Sequence, residues 1–196
     1  HDRLHVVRLG HGDWPTAAAA FECERFEGSP MLLYVGRFAD INGFGQLIEA
    51  LPAVLAAHPD LRVTLAGGMP DNARSENRWK KRWTELGGEN AARVHFPGWL
   101  GQDELAALYG EATALIVPSW FETFGQVVLE GMLHGAPLIT TAAGGIPELA
   151  DDDCALIIET KSSLAICTAV RALLSDPAGA NQRRVRARER VIRGMH

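Results

Sequence analysis

An α/β fold with a doubly wound parallel sheet is what this sequence predicts, and three observations predict it. Short apolar runs recur and stop at Gly or Pro: MLLYV before Gly36, RVTLA before Gly67-Gly68, ALIV before Pro118. Segments with helical spacing separate them, clearest in Phe44, Leu47, Ile48, Leu51, Val54 and Leu55. The runs are continuous rather than alternating, as in strands covered on both faces. Strands alternating with helices favour parallel pairing through crossover helices.

Taken in order, residues 6–10 can form a short strand, and residues 14–30 read as a loop or linker. Residues 1–30 are therefore an interdomain linker with a first strand, and residues 31–196 are one domain. The strand at 31–36 leads through a Gly-bounded loop into a helix that ends at His58-Pro59. A strand at 62–67 follows, then a polar helix over 72–86 that ends at Gly87-Gly88. Val94-His95-Phe96 is a short strand and Pro97-Gly98-Trp99-Leu100 a turn. A helix over 102–111 carries Leu105 and Leu108. Strand 114–117 opens the next unit, and strand 137–141 runs into Gly144-Gly145 and a helix start at Pro147, a residue suited to a first turn. Residues 155–158 are a strand. The helix over 164–174 is expected to turn Leu164, Val170, Leu173 and Leu174 inward. After Asp176-Pro177 comes a final helix with Arg183, Arg184, Arg186, Arg188, Arg190 and Arg193, expected to be a solvated face, with acidic-lipid contact the lesser option.

The 196 residues suffice for one substantial core or two small ones. A net charge of −5 without a basic block outside the C-terminus argues against a general nucleic-acid binder. Cys23, Cys154 and Cys167 lack paired spacing and read as reduced structural thiols, which places the protein in the cytoplasm. No apolar run approaches the ~20 residues of a membrane span. The irregular polar start without Met is expected of a piece of a longer protein. The seven His residues show no metal-ligand spacing, and Ser119 is not in a nucleophile elbow.

Chemistry concentrates in residues 117–135, VPSWFETFGQVVLEGMLHG. A strand, a loop and a helix follow one another there, the unit that places ligands at the carboxyl edge of a parallel sheet. The helix start leaves the N–H groups of Phe124, Gly125, Gln126 and Val127 unpaired, and with the helix dipole they favour an anion such as phosphate. Glu122 lies before the helix and Glu130 within it. Carboxylates repel phosphate, so they more plausibly accept hydrogen bonds from hydroxyl groups on either side of it. A sugar and a ribose fit that geometry.

Held in P-S-x-x-E-x-F-G-x-x-x-L-E-x-M-x-x-G, the two glutamates resemble the signature of the family-4 retaining glycosyltransferases, which have two Rossmann-like domains in the GT-B architecture. The resemblance runs from Val6 to about Leu174. It implies that this chain is the C-terminal, donor-binding half of such an enzyme. It implies a nucleotide diphosphate sugar as donor, a hydroxyl acceptor held mainly by the enzyme's own N-terminal domain, and no obligatory metal or other cofactor. Polysaccharide, lipopolysaccharide or glycolipid synthesis would be the setting, with peripheral contact of the full enzyme at the inner face of the membrane. Glu122 would bind the donor sugar and orient the reacting carbon. Glu130 would bind the ribose, and the N–H groups from Phe124 to Val127 the phosphate and sugar. Trp99 and Leu100 would read the base edge through their backbones, with packing an equal reading for the Trp99 side chain.

Gly36-Arg37 matches the family's phosphate-binding segment, which implies that Arg37 faces the diphosphate. For a lone Arg, a surface pair with Asp40 would be the simpler reading. The family Lys before Gly43 is Asn42 here, a donor without charge. Either the donor is then bound weakly, or another cation such as Lys80 or Lys81 compensates. A catalytically weakened nucleotide-binding module and a nucleotide-sugar 2-epimerase-like isomerase stay open as alternatives.

Overall fold

Six strands, all parallel, form one sheet in the computed structural model, which describes residues 29–68 and 73–194. The expected strand at 6–10, most of the linker and Cys23 lie outside the described residues. The strands are β1 Met31–Gly36, β2 Arg62–Gly67, β3 Val94–Gly98, β4 Ala114–Val117, β5 Leu138–Thr141 and β6 Leu156–Ile158. Their spatial order is β3-β2-β1-β4-β5-β6. The chain winds outward from β1 to β3, then returns to the other side of β1. The winding reverses between β1 and β4, and a crevice outside the carboxyl ends of the strands opens at such a reversal.

Among the described residues seven α-helices connect and cover the strands: α1 Phe44–Ala57, α2 Ala73–Gly87, α3 Gln102–Glu111, α4 Gln126–Leu133, α5 Ile146–Leu149, α6 Ser163–Ser175 and α7 Pro177–Gly194. Side chains alternate along each strand, so the two sheet faces feed two cores. Leu32 and Tyr34 of β1 enter the core with Ile48, Leu51, Trp79, Trp83, Val170 and Leu173. Met31 and Leu33 enter the other with Tyr109, Val128, Met132 and Ala187. All six apolar α1 positions read from the sequence are at most 3% exposed.

Two expectations are corrected. Leu164 is 75% exposed, not inward. Ser162 caps α6 by accepting from the Ala165 N–H at 3.1 Å, so Leu164 falls in the first turn and the buried stripe is Ile166, Ala169, Val170 and Leu173. Leu174 is half-buried against the same core. The arginines of α7 are not simply a solvated face. Arg184 is fully buried and donates to Asn181 Oδ1 at 2.8 Å. Arg188 donates to the Leu133 carbonyl at 3.1 Å, Arg186 to the Asp153 carbonyl at 2.7 Å, and Arg190 to Asp151. A cation at the end of α4 meets carbonyls that no helical N–H can reach. Arg186, Arg190 and Arg193 are still exposed, and Arg193 pairs with Glu189 on its own helix.

Arg93 closes the opposite, amino edge of the sheet. Its guanidinium donates to the carbonyls of Leu55, His58 and Leu61 and to Asn90 Oδ1. Arg93→Met would strip donors from three carbonyls at once. It is expected to lower unfolding stability by about 3 kcal/mol, read as a drop in the urea midpoint at unchanged slope. Among the described residues no helix is long and apolar enough to cross a membrane.

Candidate functional site

The loops after β1, β4 and β5 meet backbone to backbone at the switch point. Gly43, at φ +69°, lies so close to the β4–α4 loop that a Cβ there would sit 1.9 Å from the Pro118 carbonyl oxygen. The Trp120 N–H donates to the Ile41 carbonyl at 2.8 Å, and its indole N–H to Gln46 Oε1 at 3.1 Å. On the other side, the Gly145 N–H donates to the Glu122 carbonyl at 2.8 Å. A Cβ on Gly144, at φ +58°, would sit 1.8 Å from that same oxygen. What crowds Gly144-Gly145 is therefore the backbone of Glu122 and Thr123, which these glycines hold in place.

From below, strand ends brace the same loops. Thr141 Oγ1 donates to the Ser119 carbonyl at 2.7 Å, and Thr140 Oγ1 to the Val117 carbonyl at 3.0 Å. Ser119, 1% exposed, donates through Oγ to Glu122 Oε1 at 3.2 Å. Glu122 is thus half-buried and oriented. The Tyr34 hydroxyl donates to the Arg37 carbonyl at 2.7 Å. Burial pushes the Tyr34 hydroxyl far above its ordinary range; the Glu122 carboxylate raises it further and the Arg37 guanidinium pulls it back. Tyr34 therefore stays a donor.

Arg37 is exposed on the carboxyl edge, and its guanidinium makes no ion pair or hydrogen bond with a described residue; the simple pair with Asp40 does not form. Gly36 ends β1 opposite Gly67. Asn42 closes a short 3-10 turn; its Oδ1 is buried and has no partner among the described residues. Lys80 is committed to Glu76 at 2.6 Å, and Lys81 lies along the groove between α1 and α2 with Gln46 and Glu49.

The seat at α4 begins slightly later than the spacing predicts. Gly125 is the N-cap and Gln126 the first helical residue, so the Phe124 N–H precedes the helix. Among the described residues none accepts a hydrogen bond from the N–H groups of Phe124, Gly125, Gln126 or Val127. Gln126 is exposed, while Phe124 and Val127 are half-buried against the core beneath. Glu130 is 8% exposed, and its Oε2 accepts from the Tyr109 hydroxyl of α3 at 2.8 Å. Burial and then the Glu130 carboxylate hold the Tyr109 hydroxyl protonated. Trp99 is 69% exposed, so its side chain does not pack into a core; Leu100 beside it is half-buried. Both follow β3, on the same edge but two strands from the switch point.

Sequence reasoning gave no site role to Tyr34, Ser119, Tyr109 or Thr141. Ser119 carried a signal, standing three residues before Glu122 within reach of its own loop. The tyrosines carried none, since each reads as one more apolar residue in a run. Among the described residues no three His, Cys, Asp or Glu side chains gather to hold a metal ion.

A parallel doubly wound sheet, an open helix N-terminus at its switch point and a carboxylate on each side define a domain able to hold an anion with flanking hydroxyl groups. The chain belongs to the family described as Glycosyl transferases group 1, which matches residues 29–176. It is 33% identical over 192 residues to the glycogen synthase of Mycobacterium tuberculosis, covering 96% of this chain and 44% of that one. The chain therefore spans less than half the length of that relative. Its fold matches the C-terminal domain of a glycosyl transferase group 1 protein, LpcC of Francisella tularensis, with a TM-score of 0.75 at 24% identity, over 85% of this chain and 86% of that one. It also matches Anabaena HepE, solved in complex with UDP-glucose, with a TM-score of 0.74 at 22% identity, over 83% of this chain and 44% of that one. The doubly wound, Rossmann-like sheet expected from the sequence is the fold found, and it matches glycosyltransferases of the GT-B architecture.

Proposed function

We propose that this chain is the donor-binding half of a retaining glycosyltransferase that moves a sugar from a nucleotide diphosphate to a hydroxyl acceptor. One observation carries the reading: among the described residues the N–H groups of residues 124–127, which follow Glu122 and precede Glu130 in the chain at the switch point, have no acceptor, and Arg37 on the neighbouring loop has no ion pair. The likeness to a protein solved with UDP-glucose supports it. The diphosphate rests on those N–H groups and on Arg37, Glu122 takes sugar hydroxyls, and Glu130 takes the ribose. The bond from the sugar's anomeric carbon to the phosphate oxygen breaks as the acceptor oxygen attacks the same face. The acceptor's proton passes to the departing phosphate, whose charge the N–H groups and Arg37 stabilise. The acceptor belongs to polysaccharide, lipopolysaccharide or glycolipid synthesis at the cytoplasmic side of a membrane, and an N-terminal domain holds it.

The reaction needs no metal in this reading, because the protein supplies the positive charge. The chain is expected to bind UDP, GDP or ADP equally well with and without EDTA in calorimetry, and to transfer no sugar alone. Binding that vanishes with EDTA, or robust turnover by this chain, would refute those statements; no binding of any of the three refutes the donor reading. A weakened module is the second reading, favoured by the neutral amide of Asn42. Binding by the chain together with an inactive full-length enzyme would establish it.

A further inference from the structure

A carboxylate as deeply placed as Glu130 needs hydrogen-bond donors. Oε2 has one, the Tyr109 hydroxyl at 2.8 Å, whereas Oε1 accepts from no described residue. Tyr109 is fully buried and stands on α3, a different element from the helix that carries Glu130. Its ring is stacked on the His134 imidazole, with 5.7 Å between centroids and 13° between planes. His134 is itself buried, 8% exposed, and its backbone N–H donates to the Glu130 carbonyl one helical turn back at 3.0 Å. The phenol is therefore clamped at its face and bonded at its tip, and its tip is on the carboxylate.

Resting on the nucleotide reading above, we propose that Tyr109 is a positioning residue for Glu130, holding Oε2 so that Oε1 is left as the acceptor for a vicinal diol, the ribose of the donor. A carboxylate free to change rotamer would lose order on meeting a diol, and one already fixed loses little. His134 acts one step further out, by keeping the ring from turning.

The test reads ribose recognition apart from everything else the nucleotide touches. Dissociation constants are measured by calorimetry for UDP, GDP and ADP and for their 2′,3′-dideoxy counterparts. The proteins are the 196-residue chain, Tyr109→Phe, Glu130→Gln and the double variant. The unchanged chain is expected to prefer the ribo form by about tenfold, the worth of a hydrogen bond to a charged group. Tyr109→Phe is expected to cut that preference to about threefold or less while leaving dideoxy affinity within about twofold. On the Glu130→Gln background the Tyr109→Phe change should do nothing more, since the two act as one unit. A preference unaltered by Tyr109→Phe overturns the proposal, and so does an equal loss for ribo and dideoxy forms, which is the mark of a purely structural role. A chain that binds no nucleotide overturns the donor reading and this proposal with it; one that binds without preferring ribose overturns this proposal and the assignment of Glu130 to the ribose, and leaves the diphosphate seat standing. Should Tyr109→Phe melt below the assay temperature, His134→Leu replaces it. That change frees the ring and keeps the hydroxyl, so the ribo preference is expected to fall partway, and an unchanged preference overturns the proposal.

Discussion

Gly144→Val is expected to destabilise the domain by about 3 kcal/mol or more and to abolish nucleotide binding. Two costs act together. The residue sits at φ +58°, where a β-branched side chain costs roughly 1–2 kcal/mol. The new Cβ would also lie 1.8 Å from the Glu122 carbonyl oxygen. Neither is the end of a flexible side chain, so the loop after β4 has to move away. That loop carries Glu122 and leads to the N–H groups at α4, so the displacement is expected to reach the seat itself. Gly88 separates the two costs. It has φ +50° with open space where a Cβ would go. Gly88→Ala is expected to cost about 1 kcal/mol from backbone conformation alone, and Gly144→Ala substantially more. Urea unfolding of both variants decides it: equal losses would show that the close approach at Gly144 constrains nothing.

The same contrast shows what the sequence could disclose. Continuous apolar runs and helical spacing are local properties, so strands, helices and their alternation were legible. The six inward residues of α1 could be named because one helix face records them in order. The loop with Glu122 and Glu130 was legible because its signature is contiguous. What brings the site together is not contiguous. Gly144 meets Glu122, Gly43 meets Pro118, and Tyr109 meets Glu130 across three different pairs of elements. No spacing rule relates such positions; the crossing of the chain at the switch point does. Arg188 makes the same point from the other side. It stands in sequence among Arg186, Glu189 and Arg190, which reads as a wet face, yet the end of α4 lies within its reach and turns it into a cap. Leu164 errs in the opposite sense, since an apolar residue in a first turn need not share the stripe that begins two residues later.

Arg37→Met is expected to lower kcat/KM of the full-length enzyme by about 10²–10³-fold, the usual loss when one donor to a developing oxyanion is removed. Dissociation constants of nucleoside diphosphates for the 196-residue chain are expected to rise by about tenfold. The guanidinium makes no ion pair or hydrogen bond with a described residue. Its removal therefore leaves nothing unsatisfied inside, and the thermal midpoint should hold, unlike that of Gly144→Val. Only the Arg37 carbonyl is part of the packed structure, through Tyr34 at 2.7 Å, and that bond survives the substitution. Position 42 sharpens the test. Asn42 ends the same short turn, where a neutral amide stands beside the site. Asn42→Lys is expected to tighten diphosphate binding in the unchanged chain and to recover part of the affinity lost in Arg37→Met, both effects weakening as salt screens the added charge. A nucleoside monophosphate should respond less, because it presents less negative charge to the same cations. If diphosphate and monophosphate affinities change equally, or if neither changes, Arg37 is a surface cation and the diphosphate does not lie against the loop after β1.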